Sequence, residues 1–304
     1  MQTFSEEIKE ELAHYEYEND AMKAILSSFF SNNLVIAFNN NVETWETRTQ
    51  LQSTIRMINN FMGQLYTVDK EISFTDINKL NNHRTYKLSI KGNFQQLSTD
   101  LQLNETYPSS VLKTIDGQRA YLVGAFLSGG SISSIDKSIY HLEIRSNKPN
   151  YLRLLQKLLI KFNISISMLK RKDHFVLYIK KATDISDFLK IIGANNGMQQ
   201  MEDKIISRDY STNINRLNNL DIANLKKSMS AGVEQVKMIL KVRGTNEFKD
   251  QPDKFKFFCT VRLGNPEASL AQIKQIFKTK YGITITRTGL NHYVLKLREL
   301  VLIA

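Results

Sequence analysis

The first two-thirds of the 304-residue chain carries one structural unit twice, and a duplicated unit restricts the folds open to it. The first copy opens with a helix over 20–33, DAMKAILSSFFSNN. A strand at 34–38, a helix at about 48–62, strands near 65–68 and 84–90 and a helix from about 93 follow. The second copy opens with a helix over 117–130, GQRAYLVGAFLSGG. It continues with a strand at 139–145, a helix at 149–162, a hairpin with arms at 165–172 and 174–180, and a helix at 183–192. Leu26 and Leu122 correspond at an offset of 96, and the strands at 84–90 and 174–180 at an offset of 90. The expected order in each copy is helix-strand-strand-helix-strand-strand-helix. A mixed chain can alternate by chance, but here length and order agree together.

The opening helix of the second copy is small and apolar from Leu122 to Gly130. Its counterpart offers Ser27, Ser28 and Ser31. Small residues one turn apart let two helix backbones approach closely, so the two opening helices can pack at a pseudo-two-fold axis. The sheets of the two copies would then form a saddle on one side.

The C-terminal run from Asn265 to Leu300 has a different pattern. Ser269 can cap a helix whose apolar positions are Leu270, Ile273, Ile276 and Phe277, and a connector with Gly282 follows. Thr286 can cap a second helix with an apolar stripe at Leu290, Val294, Leu297 and Val301. Arg287, Thr288, Asn291 and His292 lie off that stripe in its first turns. A recognition helix in a major groove reads bases with such positions. Arg suits guanine and Asn suits adenine, because each makes two hydrogen bonds to one base edge. Two core helices joined by a glycine turn give the same pattern, so charge must weigh between the readings.

The formal net charge is +11, unevenly spread. Residues 1–110 carry −5, residues 111–210 carry +7 and residues 211–304 carry +9. A basic C-terminal portion behind an acidic start suits a polyanionic partner. Lys outnumbers Arg 28 to 13, which also fits a composition biased toward Lys and Asn. Cys259 is the only cysteine, which excludes an internal disulfide and a cysteine-based zinc site and fits a reducing compartment. The acidic N-terminal run lacks the apolar core of a signal peptide, and no stretch reaches the ~18 apolar residues of a membrane-spanning helix. The expected location is the cytoplasm, at the nucleoid.

LVGAFLSGG at 122–130 resembles the LAGLIDADG motif of homing endonucleases, whose paired helices sit at the centre of a two-fold saddle over DNA. In that family an acid near the end of each helix holds a divalent metal. The matching positions here are Gly129 and, in LSSFFSNNL at 26–34, Asn33. Metal-assisted phosphodiester cleavage needs hard, charged oxygen ligands. The resemblance therefore implies the scaffold without the nuclease, and no cofactor. YHLEI at 140–144, NRLNNLDIAN at 215–224, NPEASL at 265–270 and TGLNH at 288–292 extend the resemblance over nearly the full length, to the WhiA family. These bacterial regulators join a LAGLIDADG-type domain to a C-terminal helix-turn-helix. Their roles lie in sporulation, or in cell division and chromosome segregation; the Lys- and Asn-rich composition favours the latter. In the family a basic Arg-Leu-Arg-Lys run follows the Asn-His pair. This chain has Tyr293, Val294, Leu295 and Lys296, two positive charges fewer.

The fold expected is α+β: a duplicated LAGLIDADG-type saddle of two αββαββα halves, 1–110 and 111–212, then an all-α domain over 213–304 with the helix-turn-helix at about 268–301. The polar run Asn213–Asn219 reads as the junction, and 219–243 as one long helix with a stripe of Ile222, Leu225, Met229, Val233, Val236 and Leu240. EFKDQPDKF at 247–255 reads as a loop, with Pro252 near the start of a helix over 253–262.

The function expected is sequence-specific binding of double-stranded DNA by a non-enzymatic regulator. Arg287, Thr288, Asn291 and His292 would read bases, and Lys278, Lys280, Lys296 and Arg298 would hold phosphates. Lys170, Arg171 and Lys172 on the hairpin, with Lys180 and Lys181, would add backbone contacts or form a solvated rim. The saddle leaves room for protein partners. The rival expectations are a residual nuclease or RNA maturase, to which Asp136 could lend an acid, and a protein-interaction scaffold with weak nucleic-acid binding. His141 and Glu143 share a strand face, where a hydrogen-bonded pair is the simpler expectation than a metal. His14, His83 and His174 are isolated. GAFLSGGS lacks the Gly-Lys-Ser/Thr ending of a phosphate loop, and no G-x-S-x-G elbow occurs.

Overall fold

The computed structural model describes residues 2–39, 42–78, 83–92, 94–136 and 139–303. They divide into two compact units, 1–208 and 209–304.

The first unit begins with α1 (Phe4–Ala13), started by a capping box in which Thr3 and Glu6 bond each other's backbone N–H groups. The first repeat is α2 (Asn19–Asn33), β1 (Val35–Asn39), β2 (Val42–Thr49), α3 (Gln52–Leu65), β3 (Asp69–Asn78), β4 (His83–Lys91) and α4 (Phe94–Asp100). The second is α5 (Ile115–Gly129), β5 (Gly130–Ile132), β6 (Leu142–Ser146), α6 (Pro149–Lys161), β7 (Ser167–Arg171), β8 (His174–Ile179) and α7 (Ala182–Ile191). Both are αββαββα, and both sheets are antiparallel with matching order, β1-β2-β4-β3 and β5-β6-β8-β7. The expected helix at 48–62 begins only at Gln52, because 42–49 is strand. That run, VETWETRT, is rich in β-branched and aromatic residues and alternates between faces, which a pleated sheet rewards. Three-residue β5 is too short to leave a periodic signal.

Register explains which residues make the core. Trp45 opposes Ile90 and Thr47 opposes Leu88, so one face of the first sheet packs against the helices. Glu46 opposite Ser89 and Arg48 opposite Lys87 line the other face. In the second sheet Leu142, Ile144, Leu177 and Ile179 take the core face and Glu143, Arg145 and Tyr178 the other.

At the centre α2 and α5 meet backbone to backbone. A Cβ on Gly124 would lie 2.3 Å from the Ile25 carbonyl oxygen and 2.9 Å from Ser28 Cβ. Ser27 and Ser28 are fully buried between the helices. The Ser27 hydroxyl donates to the Leu101 carbonyl at 2.7 Å, and the Ser28 and Tyr151 hydroxyls share a bond of 2.9 Å. Small polar side chains are tolerated there because each has a partner.

The division between the units falls inside α8 (Asn195–Val242), so the polar run 213–219 is helix rather than a break. Asn is a poor helix former, but no proline interrupts α8. The second unit continues with α9 (Asn246–Lys249), α10 (Asp253–Gly264), α11 (Leu270–Tyr281) and α12 (Arg287–Ile303). The segment expected as a loop thus contains the short α9, capped by Thr245. Its core joins Ile239 and Val242 to Phe255, Phe258, Ile273, Phe277, Leu290, Val294 and Leu297. The expected α8 stripe is displaced: Ile222, Leu225, Val233 and Leu240 are exposed, while Gly232, Gln235, Ile239 and Val242 are buried. A close approach selects that face, since a Cβ on Gly232 would lie 2.2 Å from the Pro266 carbonyl oxygen. No helix among the described residues is long and apolar enough to cross a membrane.

Candidate nucleic-acid interface

Three helices, α10 to α12, build the helix-turn-helix unit. Fully buried Arg262 holds the first turn, donating to the carbonyls of Asn265 at 3.3 Å and Ala268 at 2.5 Å. Ser269 and Gln272 form a capping box at the start of α11. Gly282 ends α11 at φ 66°, a left-handed conformation that costs glycine little. The Gly282 and Ile283 N–H groups bond back to Lys278 and Phe277. Thr286 then accepts from the Gly289 N–H at 3.1 Å, so both expected caps are in place.

Leu290, Val294, Leu297 and Leu300 bury one face of α12. The opposite face presents Arg287, Thr288, Asn291 and His292, all exposed. Among the described residues their side chains make no hydrogen bond or ion pair, so their donors and acceptors are available. Lys278, Lys280 and Arg298 are exposed as well, whereas Lys296 pairs with Glu299 at 3.5 Å. The two positions that lack the family's positive charge differ in kind. Tyr293 packs its ring against Phe255 and Phe258, with centroids 5.9 and 5.6 Å away, and belongs to the core. Leu295 is exposed, beside the available polar face.

The saddle's cations are largely engaged. Arg171 makes a two-pronged ion pair with Glu143, at 2.6 and 3.1 Å. Glu143 is thereby taken by Arg171, not by His141, whose backbone N–H bonds Ser133. Lys170 lies 5.9 Å over the Phe175 ring and Lys180 5.0 Å over Tyr178. Lys181 pairs with Asp184 at 2.9 Å. Burial works against the Asp184 carboxylate, but bonds from Lys181 and the Ser165 N–H outweigh it and hold its pKa below the usual carboxylate value. Exposed Lys172 occupies the turn at φ 30°. On the first sheet Glu46 takes both Lys87, at 3.0 Å, and Arg48, at 3.3 Å. Sequence periodicity cannot reveal the Arg171–Glu143 and Lys87–Glu46 pairs, because they join residues on different strands.

The positions matching the nuclease acids carry other work. The Asn33 amide donates to the Ser128 carbonyl at 3.0 Å. Neighbouring Asn32 donates to the Ser128 hydroxyl at 3.0 Å and the Arg145 carbonyl at 3.1 Å. A Cβ on Gly129 would lie 2.4 Å from that Arg145 oxygen. A carboxylate at 33 could not donate, and one at 129 has no room. Asp136 pairs with Lys204 at 2.8 Å, and that bond lowers its pKa. No cluster of three metal-ligating side chains exists among the described residues. His14 bonds the Glu10 carbonyl and His174 opens β8, both away from any such cluster.

Comparison with known proteins agrees with this geometry. The family model for the WhiA N-terminal LAGLIDADG-like domain matches residues 19–104, the WhiA LAGLIDADG-like domain 118–211 and the WhiA C-terminal HTH domain 214–301. The chain is 30% identical over 305 residues to a protein of Lysinibacillus sphaericus named "Probable cell division protein WhiA", covering 98% of this chain and 96% of that one. A protein of the same name from Pediococcus pentosaceus is also 30% identical, over 98% and 97%. Among solved structures, full-length DUF199/WhiA from Thermatoga maritima aligns with TM-score 0.58 and 23% identity, over 99% of this chain and 98% of that one. The N-terminal LAGLIDADG domain of DUF199/WhiA aligns with TM-score 0.53 and 26% identity, over 64% and 91%. With a capped helix-turn-helix, a saddle without its acids, and relatives matched over nearly their whole length, the chain belongs to the WhiA family.

Proposed function

We propose that this protein is a sequence-specific regulator binding double-stranded DNA, without nuclease activity, that acts in bacterial cell division and chromosome segregation. The observation that carries the DNA reading is the exposed, uncommitted set Arg287, Thr288, Asn291 and His292 at the start of α12. In this reading these residues contact base edges while Lys278, Lys280, Lys296 and Arg298 hold phosphates. Lys172 adds a backbone contact from the saddle, with Lys170 and Arg171 engaged with their own neighbours. The division role rests on the names of the relatives. The absence of nuclease activity rests on Asn33, whose amide ties α2 to α5, and on Gly129, where a side chain has no room.

The test compares Arg287→Ala and Lys278→Ala in the full chain, selecting from a randomised duplex pool across a salt series. Arg287→Ala should relax preference at one base position, at a cost of about 1–3 kcal/mol. Lys278→Ala should weaken binding on every sequence and lower the salt slope by about one. Equal loss on all sequences from both variants would remove Arg287 as a reader. No loss from either would remove α12 as the interface.

A further inference from the structure

The LAGLIDADG-like unit holds a cleft of about 1090 Å³, lined by polar and apolar side chains alike, at the ends of its paired helices. Its walls come from the first turns of α1, the end of α2 at Asn33, the β2–α3 corner, the α5–β5 junction and Gln200. It therefore lies where the resemblance would place metal-binding acids, and the residues present reverse the charge logic of that place.

Three carboxylates line the cleft, and two are committed. Glu6 accepts from the Thr3 N–H at 2.8 Å in its capping box, and Asp136 is paired with Lys204. Glu7 is exposed to solvent. Lys9 differs from them. Among the described residues no carboxylate lies within ion-pair distance of its ammonium, which sits 5.6 Å from the centre of the Phe126 ring. Burial lowers its pKa to about 8, against a smaller opposing pull from Glu6. Such an ammonium is poorly solvated, and an arriving anion would relieve it. Arg48, on another wall, spends a single contact of 3.3 Å on Glu46, which leaves guanidinium donors open. The remaining polar lining is neutral and able to donate and accept, with Gln50, Ser131 and Gln200 among it.

A cleft of this size, with a neutral hydrogen-bonding wall and two cations facing fewer free acids, suits a polar molecule carrying an anionic group. We propose that the cleft is a phosphate-ester site, with Lys9 as its charged anchor and Arg48 as the second cation. The phosphate can belong to a free mononucleotide or to a DNA backbone, and the assay separates the two.

The full chain and its Lys9→Met and Arg48→Gln variants would be titrated calorimetrically with AMP, GMP, CMP, UMP and inorganic phosphate. Each would then be titrated with duplex DNA across a salt series. Trp45 fluorescence checks folding, and Lys157→Met serves as an exposed-lysine control. If the source is a free nucleotide, at least one binds, Lys9→Met weakens it about tenfold or more through loss of one charge-assisted contact, and Lys157→Met leaves it unchanged. If the source is DNA, the nucleotides fail but Lys9→Met lowers the salt slope on duplex by about one. Nucleotide binding that ignores Lys9→Met and Arg48→Gln overturns the proposal. So does failure of every ligand together with an unchanged salt slope. The nucleotide outcomes do not depend on α12, and the duplex outcome is read as the slope lost by Lys9→Met relative to the unmodified chain, so both are distinguishable from the fate of the α12 test.

Discussion

Gly124→Ala is a small change with opposing consequences. In an exposed helix, replacing Gly by Ala favours the helix by about 1 kcal/mol. At position 124 the added Cβ would sit 2.3 Å from a backbone oxygen, that of Ile25, and 2.9 Å from Ser28 Cβ. The oxygen belongs to α2 and cannot rotate away, so the helices must part. Overpacking of this kind costs about 1–3 kcal/mol. Parting also strains the buried bond between Ser28 and Tyr151, for roughly 1 kcal/mol more. The net expected loss is about 2 kcal/mol, which outweighs helix propensity. The assay is urea unfolding followed by tryptophan fluorescence. Trp45 is the only tryptophan, lies in the first unit, is 4% exposed and stacks on Phe94 at 4.7 Å between centroids. It therefore reports the LAGLIDADG-like unit. With a urea dependence of about 2–3 kcal/mol per molar, the midpoint should fall by roughly 1 M. An unchanged or raised midpoint would mean that propensity wins, and the close approach at Gly124 would be refuted.

Asn33→Asp should destabilise the same unit by about 1–3 kcal/mol and lower its urea midpoint, because a carboxylate facing the Ser128 carbonyl replaces a donor with a repelling oxygen. It should also fail to nick supercoiled plasmid in magnesium, and robust nicking would overturn the account of the lost acids. Cys259 is buried and its thiol pKa is pushed up to about 12 by burial, so an aromatic disulfide reagent should react with it only after denaturation. Rapid labelling of the native chain would show that the core of the second unit opens.

The duplication was legible because two independent signals, length and order, repeat along the chain. The caps at Ser269 and Thr286 were legible because a hydroxyl before an apolar run has one local use. What escaped depends on contacts distant in sequence. The buried face of α8 is chosen by Gly232 meeting Pro266, not by the strongest apolar stripe on the helix. Tyr293 looked like a missing charge, and only packing against Phe255 and Phe258 identifies it as core. Lys9 sits in an acidic run, EEIKEEL, where sequence alone suggests a solvated face. Its position in a cleft follows from how α1 packs.

The engaged cations of the saddle also bear on how a nucleic acid would arrive. Formal charge credits residues 111–210 with a surplus of seven. Yet Arg171 is locked to Glu143 and Lys181 to Asp184, while Lys170 and Lys180 rest near aromatic rings. Paired charges form dipoles, whose field decays far faster with distance than that of a lone ion. Each pair removes one charge of each sign and leaves that surplus intact, so residues 111–210 would draw a diffusing polyanion at long range as well as residues 211–304, whose surplus is nine. What pairing changes is the near field: on the hairpin a phosphate would meet Lys172 directly, whereas Arg171 and Lys181 would first have to give up their carboxylate partners.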